Sequence, residues 1–227
     1  MTFGSLFAGI GGFDLGFERA GMTCRWQVEI DPFCRAVLAK HWPDVQLYED
    51  IHHVGAHNLE SVDVICGGWP CQPVSQASRG RNRRTADDRW LWPETRRVVF
   101  ELEPTWFVGE NVTHLDRGEL DTVVSDLEAL GYEVAPTLEI PACAFGHDHW
   151  RPRFWILGHA HRDRQPGVSV NAEVARLSRC DRDSGGVGAP HGLPSGMDRL
   201  RGLGNAVVPQ ITQWIGERLM EAEHARC

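Results

Sequence analysis

The chain has 227 residues, enough to enclose a full hydrophobic core, and its 42% hydrophobic and 24% charged residues are the balance of a soluble globular protein. No apolar stretch reaches bilayer length, and no basic segment followed by an apolar run stands at the start, so the expectation is a cytoplasmic, non-membrane protein. The net charge of −8 argues against nucleic-acid binding through overall charge and leaves that task to local basic patches.

The seven cysteines, at positions 24, 34, 66, 71, 143, 180 and 227, include no Cys-x-x-Cys pair. That argues against a zinc ribbon or a disulfide framework and for a reducing cytosol. Paired histidines at 52 and 53, 147 and 149, and 159 and 161 lack the cysteine partners of a zinc site, so no metal is expected.

In chain order, residues 3–8 read as a first strand, turned by glycines into a helix over 13–20. Residues 24–30 form a second strand. Pro32 suits the first turn of a helix running to residue 41. Short strands follow at 45–48 and 62–66. Residues 90–102 have helical spacing, and 106–108 begin a fifth strand. An amphipathic helix over 120–130 is ended by Gly131. Later strands fall at 132–140 and 154–157, and a closing helix at 208–222. Strands alternating with helices predict an α/β fold with a mostly parallel sheet covered on both faces. Residues 161–196 are rich in Gly, Pro, Arg, Asp and Ser and read as loop.

Four segments carry chemistry. Gly67-Gly68-Trp69-Pro70-Cys71-Gln72-Pro73 follows an apolar strand. Pro70 fixes its own φ and holds Trp69 extended, so the bend presents one thiol at the carboxyl edge of the sheet, where open α/β sheets bind ligands. Taken alone, Cys71 reads as a small buried hydrophobe. Phe7-Ala8-Gly9-Ile10-Gly11-Gly12 is a turn that brings backbone close to a ligand, as at nucleotide sites. Glu29 ends the second strand at the spacing of a ribose-binding acid. Asp50 ends the third strand region and can accept from an adenine amino group. Either acid alone reads as a strand-end solubiliser. Gly109-Glu110-Asn111-Val112 puts a carboxyl at the end of an apolar strand, a setting for a raised pKa or for a salt bridge. Gly204-Asn205-Ala206-Val207-Val208-Pro209 precedes the last helix.

These four segments, in this order, resemble the DNA (cytosine-5) methyltransferase family, over residues 3 to about 218. The resemblance implies a Rossmann-like class I methyltransferase fold with a small loop-rich insertion. It implies a catalytic domain of residues 1–159 and 203–227, with a reduced target-recognition region at 160–202. The implied activity is that of a DNA (cytosine-5-)-methyltransferase, with S-adenosyl-L-methionine as cofactor and double-stranded DNA as substrate. Cys71 would add to C6 of a flipped cytosine and Glu110 would protonate N3. Arg151 and Arg153 alternate across an extended segment and would hold the base or orient the carboxylate. Phe7, Gly9, Gly11, Glu29, Asp50, Ile51 and Asn205 would line the cofactor pocket. Gln72, Ser75, Arg81, Arg83 and Arg84 would contact DNA. Three positions depart from the family pattern: Ile30 where relatives often carry an aromatic, Trp69 for a frequent proline or phenylalanine, and Asp148 for a common proline. The short region 160–202, with Arg176, Arg179 and Arg182, leaves three readings open: a very short recognition sequence, recognition through a partner, or a copy that binds DNA or cofactor without turnover. A cognate restriction enzyme and the oligomeric state stay open too.

Overall fold

The computed structural model describes residues 1–70, 90–113, 115–160 and 206–225. Strands β1 (Thr2–Leu6), β2 (Thr23–Val28), β3 (Gln46–Tyr48), β4 (Val64–Gly67) and β5 (Trp106–Val112) run parallel in the order β3-β2-β1-β4-β5. β8 (Pro152–Ala160) joins β5 antiparallel, and β6 (Tyr132–Val134) and β7 (Leu138–Pro141) pair antiparallel with β8.

Helices α1 (Gly12–Arg19), α2 (Pro32–His41), α3 (Trp92–Leu102), α4 (Arg117–Ala129) and α5 (Pro209–His224) complete the described fold. Alternation along the strands divides the core in two. Phe3, Val64, Cys66, Trp106, Val108, Trp155 and Leu157 pack on α1 and α5 through Phe13, Phe17, Ile211 and Ile215. Leu6, Trp26, Ile65, Phe107 and Ile156 face the opposite way, onto Trp92, Val98 and Val99 of α3 and Val123 and Leu127 of α4. A sheet buried on both faces explains why its strands read as continuous apolar runs.

Local chemistry sets the helix starts. Asp31 caps α2, its carboxylate accepting from Phe33 N and Cys34 N, with Pro32 in the first turn. Asp116 and Glu119 form a reciprocal capping box on α4, and Gly131, at φ 88°, follows its end.

Three expectations need adjustment. The strand read over 132–140 is two strands, because Pro136 has no N–H for a ladder and divides them. β5 continues to Val112, since β8 pairs along its whole length, so Glu110 lies within the strand rather than at its end. Arg151 is not extended. It has φ 32°, and β8 begins only at Pro152, so the two arginines do not simply alternate along one strand.

The order reverses between β1, which leads outward to β2 and β3, and β4, which leads to β5. Crevices beyond the carboxyl ends of such strands are where open α/β sheets bind ligands. A fully buried polar cluster lies beneath the turn after β1. Asp14 of α1 accepts from Ser5 Oγ at 3.2 Å and Gln27 Nε2 at 2.8 Å, and burial pushes its carboxyl up to about 6.

Trp92 joins the layers at the start of α3. Its ring packs on Trp69 at 4.9 Å and Phe107 at 5.8 Å, and its indole N–H donates to Asp126 Oδ2 of α4 at 2.8 Å. Trp92→Ala is expected to destabilise the fold by about 3–5 kcal/mol, and Trp92→Phe by about 1–3 kcal/mol through the lost hydrogen bond and volume. Urea denaturation monitored by circular dichroism measures both; a Trp92→Phe variant as stable as the wild type would remove the indole N–H from any role.

Candidate active site

Two groups of residues meet at the carboxyl edge of the parallel strands. The first surrounds the turn after β1. Phe7 has φ 53°, Gly9 φ 58° and Gly11 φ 87°, so three of five residues adopt left-handed backbone. A non-glycine residue held there stores strain, which concentrates at functional turns. A Cβ on Gly9 would meet nothing within 4 Å, so this stretch of backbone faces open space. Glu29, buried at the end of β2, accepts from Gly9 N at 2.7 Å and from Asp31 N at 2.8 Å. Its carboxylate thereby ties the turn after β1 to that after β2. Ile30 beside it is 69% exposed, a large apolar side chain without cover among the described residues. Asp50 follows β3 and caps a single 3-10 turn, Ile51–His53, its Oδ1 accepting from His52 N at 2.9 Å. That bond, with His52 Nδ1 at 2.7 Å, holds the Asp50 carboxyl below its ordinary value. Ile51 is buried in the core.

The second group surrounds Glu110. Its side chain is largely shielded, and burial pushes its carboxyl up to about 7 against the opposing pull of Arg153 and Arg151. Arg153 Nε lies 3.0 Å from Glu110 Oε1. Its Nη1 also donates to the carbonyl oxygen of Pro152 at 2.8 Å. Arg151 donates instead to the carbonyl oxygen of Ala206 at 3.0 Å, and burial followed by the neighbouring Arg153 lowers its pKa. A Cβ on Gly68 would sit 2.9 Å from Glu110 Oε2, so glycine there makes room for the carboxyl.

Asn111 holds the bend that leads to the cysteine. Its Nδ2 donates to the Trp69 carbonyl oxygen at 3.2 Å, and its Oδ1 accepts from Val112 N at 2.8 Å. Trp69 is buried against Trp92, so the indole anchors the bend from below. The strand carrying Glu110 and the loop entering Cys71 are therefore bonded two residues before the thiol.

The structure places Phe7, Gly9, Gly11, Glu29, Asp50 and Ile51 on the turns after β1, β2 and β3, and brings Glu110, Arg151 and Arg153 together. Cys71, Gln72, Ser75, Arg81, Arg83, Arg84 and Asn205 lie outside the described residues, as do Arg176, Arg179 and Arg182. The neighbour of Asn205, Ala206, is held by Arg151, and a Cβ on Gly12 would strike the Val207 carbonyl oxygen, so the chain after Asn205 runs over the glycine turn. Sequence reasoning missed the work of Gly68, Asn111 and Trp92. Two of them carried a signal: Gly68 in the glycine pair that ends an apolar strand, and Asn111 as a polar residue inside one. Among the described residues no group of three or more His, Cys, Asp or Glu could hold a metal, and no helix is long and apolar enough to cross a membrane.

This topology is that of a Rossmann-like methyltransferase fold. The family model for C-5 cytosine-specific DNA methylase matches residues 1–180, and the chain belongs to that family. It is 34% identical over 167 residues to Type II methyltransferase M2.BsuMI of Bacillus subtilis (strain 168), covering 70% of this chain and 42% of that protein. It is 36% identical over 171 residues to Type II methyltransferase M1.HphI of Haemophilus parahaemolyticus, covering 70% of this chain and 45% of that one. The chain thus spans less than half the length of these curated relatives. In fold it is similar to the S. pombe Dnmt2 methyltransferase, with a TM-score of 0.63 at 17% identity over 81% of this chain and 57% of the other.

Glu110 gives a stability test with a defined sign. Its folded pKa, about 7, exceeds the ordinary 4.5. The folded protein therefore binds this proton more tightly than the unfolded chain, and the stability it contributes is lost as pH rises from about 4.5 through 7. Glu110→Gln stays neutral throughout. Its stability relative to the wild type should rise by about 1–3 kcal/mol between roughly pH 5 and pH 8. Parallel wild-type and variant profiles in urea denaturation would show that the carboxyl is not shifted.

Proposed function

We propose that this protein transfers a methyl group from S-adenosyl-L-methionine to C5 of cytosine in double-stranded DNA. The observation that carries the reading is the Glu110 carboxyl. It is largely shielded, with 12% of its side chain exposed, and is pushed up to about 7, and the adjacent Asn111 bonds the loop that leads into Cys71.

The residues around the first turn fit the cofactor. Open left-handed backbone at Gly9, the buried Glu29 carboxylate, the exposed Ile30 and the spare oxygen of Asp50 suit a ligand with an amino-acid end, a ribose and an adenine. Phe7, Gly9, Gly11 and Asn205 would receive the methionine end, Glu29 the ribose hydroxyls, and Asp50 with Ile51 the adenine. Ile30 would cover the adenine with an aliphatic face where relatives often use an aromatic. When bound, the cofactor supplies a methyl group made electrophilic by a sulfonium.

The remaining chemistry belongs to the chain. Cytosine C5 is a poor nucleophile. Addition of the Cys71 thiolate to C6 turns the ring into an enamine whose C5 can take the methyl group; loss of the C5 proton to a base then expels the thiolate from C6 and restores the ring, so one difficult step becomes several easier ones. Glu110, mostly protonated below pH 7, delivers a proton to N3 as electron density moves onto the ring. An acid whose pKa lies near the working pH suits that role. Arg153 holds the carboxyl in place and Arg151 bonds the segment over the glycine turn; both add positive charge beside the base. The target base must leave the duplex to reach them, at a cost of a few kcal/mol. Gln72, Ser75, Arg81, Arg83 and Arg84 would hold the strand and fill the vacated space.

In this reading, residues 1–159 and 203–227 form the catalytic part, and 160–202 a short DNA-reading segment. Arg176, Arg179 and Arg182 are its candidate readers of guanine edges. Replacing these three by alanine should weaken DNA binding and relax sequence preference without changing cofactor affinity. Retained preference with a reduced salt dependence would restrict them to phosphate contacts. No change in either would move recognition to a partner protein.

The direct test is methyl incorporation into DNA, with the site read by bisulfite sequencing of DNA from an expressing host. Cys71→Ser should abolish transfer yet bind S-adenosylhomocysteine as the wild type does, because the glycine turn is untouched. Glu110→Gln should slow transfer by about 10²–10⁴-fold. No modified cytosine above control with the wild type would favour a DNA- or cofactor-binding protein without turnover.

A further inference from the structure

Arg97, in the middle of α3, makes a contact that the proposed chemistry does not use. Its Nε donates to Glu94 Oε2 at 2.8 Å and its Nη1 to Glu101 Oε1 at 2.9 Å. Such i, i+3 and i, i+4 pairs on a helix surface usually contribute little. Here the third arm leaves the helix. Nη2 donates to the carbonyl oxygen of Ile51 at 2.8 Å, in the turn that Asp50 caps. Glu101 completes the grip, its Oε2 accepting from Ala56 N at 3.0 Å. A Cβ on Gly55, between these contacts, would strike Glu101 Oε2 and lie 3.1 Å from Arg97 Nη1, so the loop passes as close as glycine allows. The same helix begins at Trp92, whose ring packs on Trp69 just before the cysteine. One helix therefore braces both the loop after β3 and the bend after β4.

We infer that Arg97 is a positioning residue for adenine recognition: its planar fork fixes the backbone of the Asp50–Ile51 turn so that the Asp50 carboxylate meets the adenine amino group. This rests on the cofactor reading above. The Ile51 and Val54 side chains seat this turn in the core, and Arg97 adds the bond that fixes the orientation of its backbone at the Ile51 carbonyl. Asp50 is itself partly exposed and is oriented by its bonds to His52, so its aim follows the turn. Lysine keeps the charge of arginine and not its fork. It can satisfy Glu94 or Glu101 but cannot bond both and the Ile51 carbonyl oxygen in one plane.

The test compares S-adenosylhomocysteine with S-inosylhomocysteine, in which a carbonyl oxygen replaces the adenine amino group. Calorimetry on the full chain gives both affinities for the wild type, Arg97→Lys and Arg97→Ala, with the melting temperature of each. The wild type should prefer the adenosyl ligand by roughly 10- to 100-fold, since the inosyl ligand leaves a carboxylate unpaired. In both variants the preference should fall below about 3-fold. Arg97→Lys should melt near the wild type, and it decides the matter if Arg97→Ala does not fold. An unchanged preference in Arg97→Lys, or a wild type that binds both ligands equally, overturns the inference. A wild type that binds neither ligand contradicts the cofactor reading itself.

Discussion

The balance between burial and Arg153 at Glu110 is the constraint around which this structure is arranged. A carboxylate 3.0 Å from a guanidinium would ordinarily be held ionised. Here enclosure outweighs two arginines and leaves the carboxyl near 7. That outcome requires a closed surrounding. Gly68 brings backbone against the carboxyl, Arg153 of the neighbouring strand β8 lies against it, and α3 fills the space below Trp69. Each of these is a packing feature of the sheet with a chemical consequence at its edge.

The two residue groups differ in how they are built. Around the first turn, backbone does most of the work: left-handed residues, a carboxylate spent on two amide groups, and a cap on a single turn. Around Glu110 the work is done by side chains, with Arg153 of β8 set against the carboxyl of β5. Backbone strain appears in both, at Phe7 and at Arg151, where the protein bends sharply without glycine. The chain after Asn205 bridges them, held by Arg151 on one side and lying on Gly12 on the other. A closing segment that touches both groups fits a reaction in which two ligands must meet.

Much of this was legible in the sequence, for identifiable reasons. Pro32 and Asp31 announce α2, and Gly131 announces the end of α4, because capping is local chemistry. The glycine turn and Glu29 were readable from their spacing after strands. The strand break at Pro136 was also readable, and the apolar run around it concealed it. What could not be read depends on partners distant in the chain. β5 extends past Val108 only because β8 pairs with it. Arg151 leaves the extended region that a residue before proline favours, and its guanidinium reaches a carbonyl oxygen 55 positions away. Arg97 looks like a surface ion-pair ladder until the Ile51 carbonyl oxygen is placed beside it.

The most direct measurement is the titration of Glu110 itself. Carbon-13 NMR of protein labelled at the glutamate carboxyl carbons, with the resonance assigned by its loss in Glu110→Gln, follows this one group. The account predicts a midpoint near 7, far from the ordinary 4.5. A midpoint at or below 4.5 would mean that the arginines, not burial, govern the carboxyl, and that Glu110 has no proton to give near neutral pH.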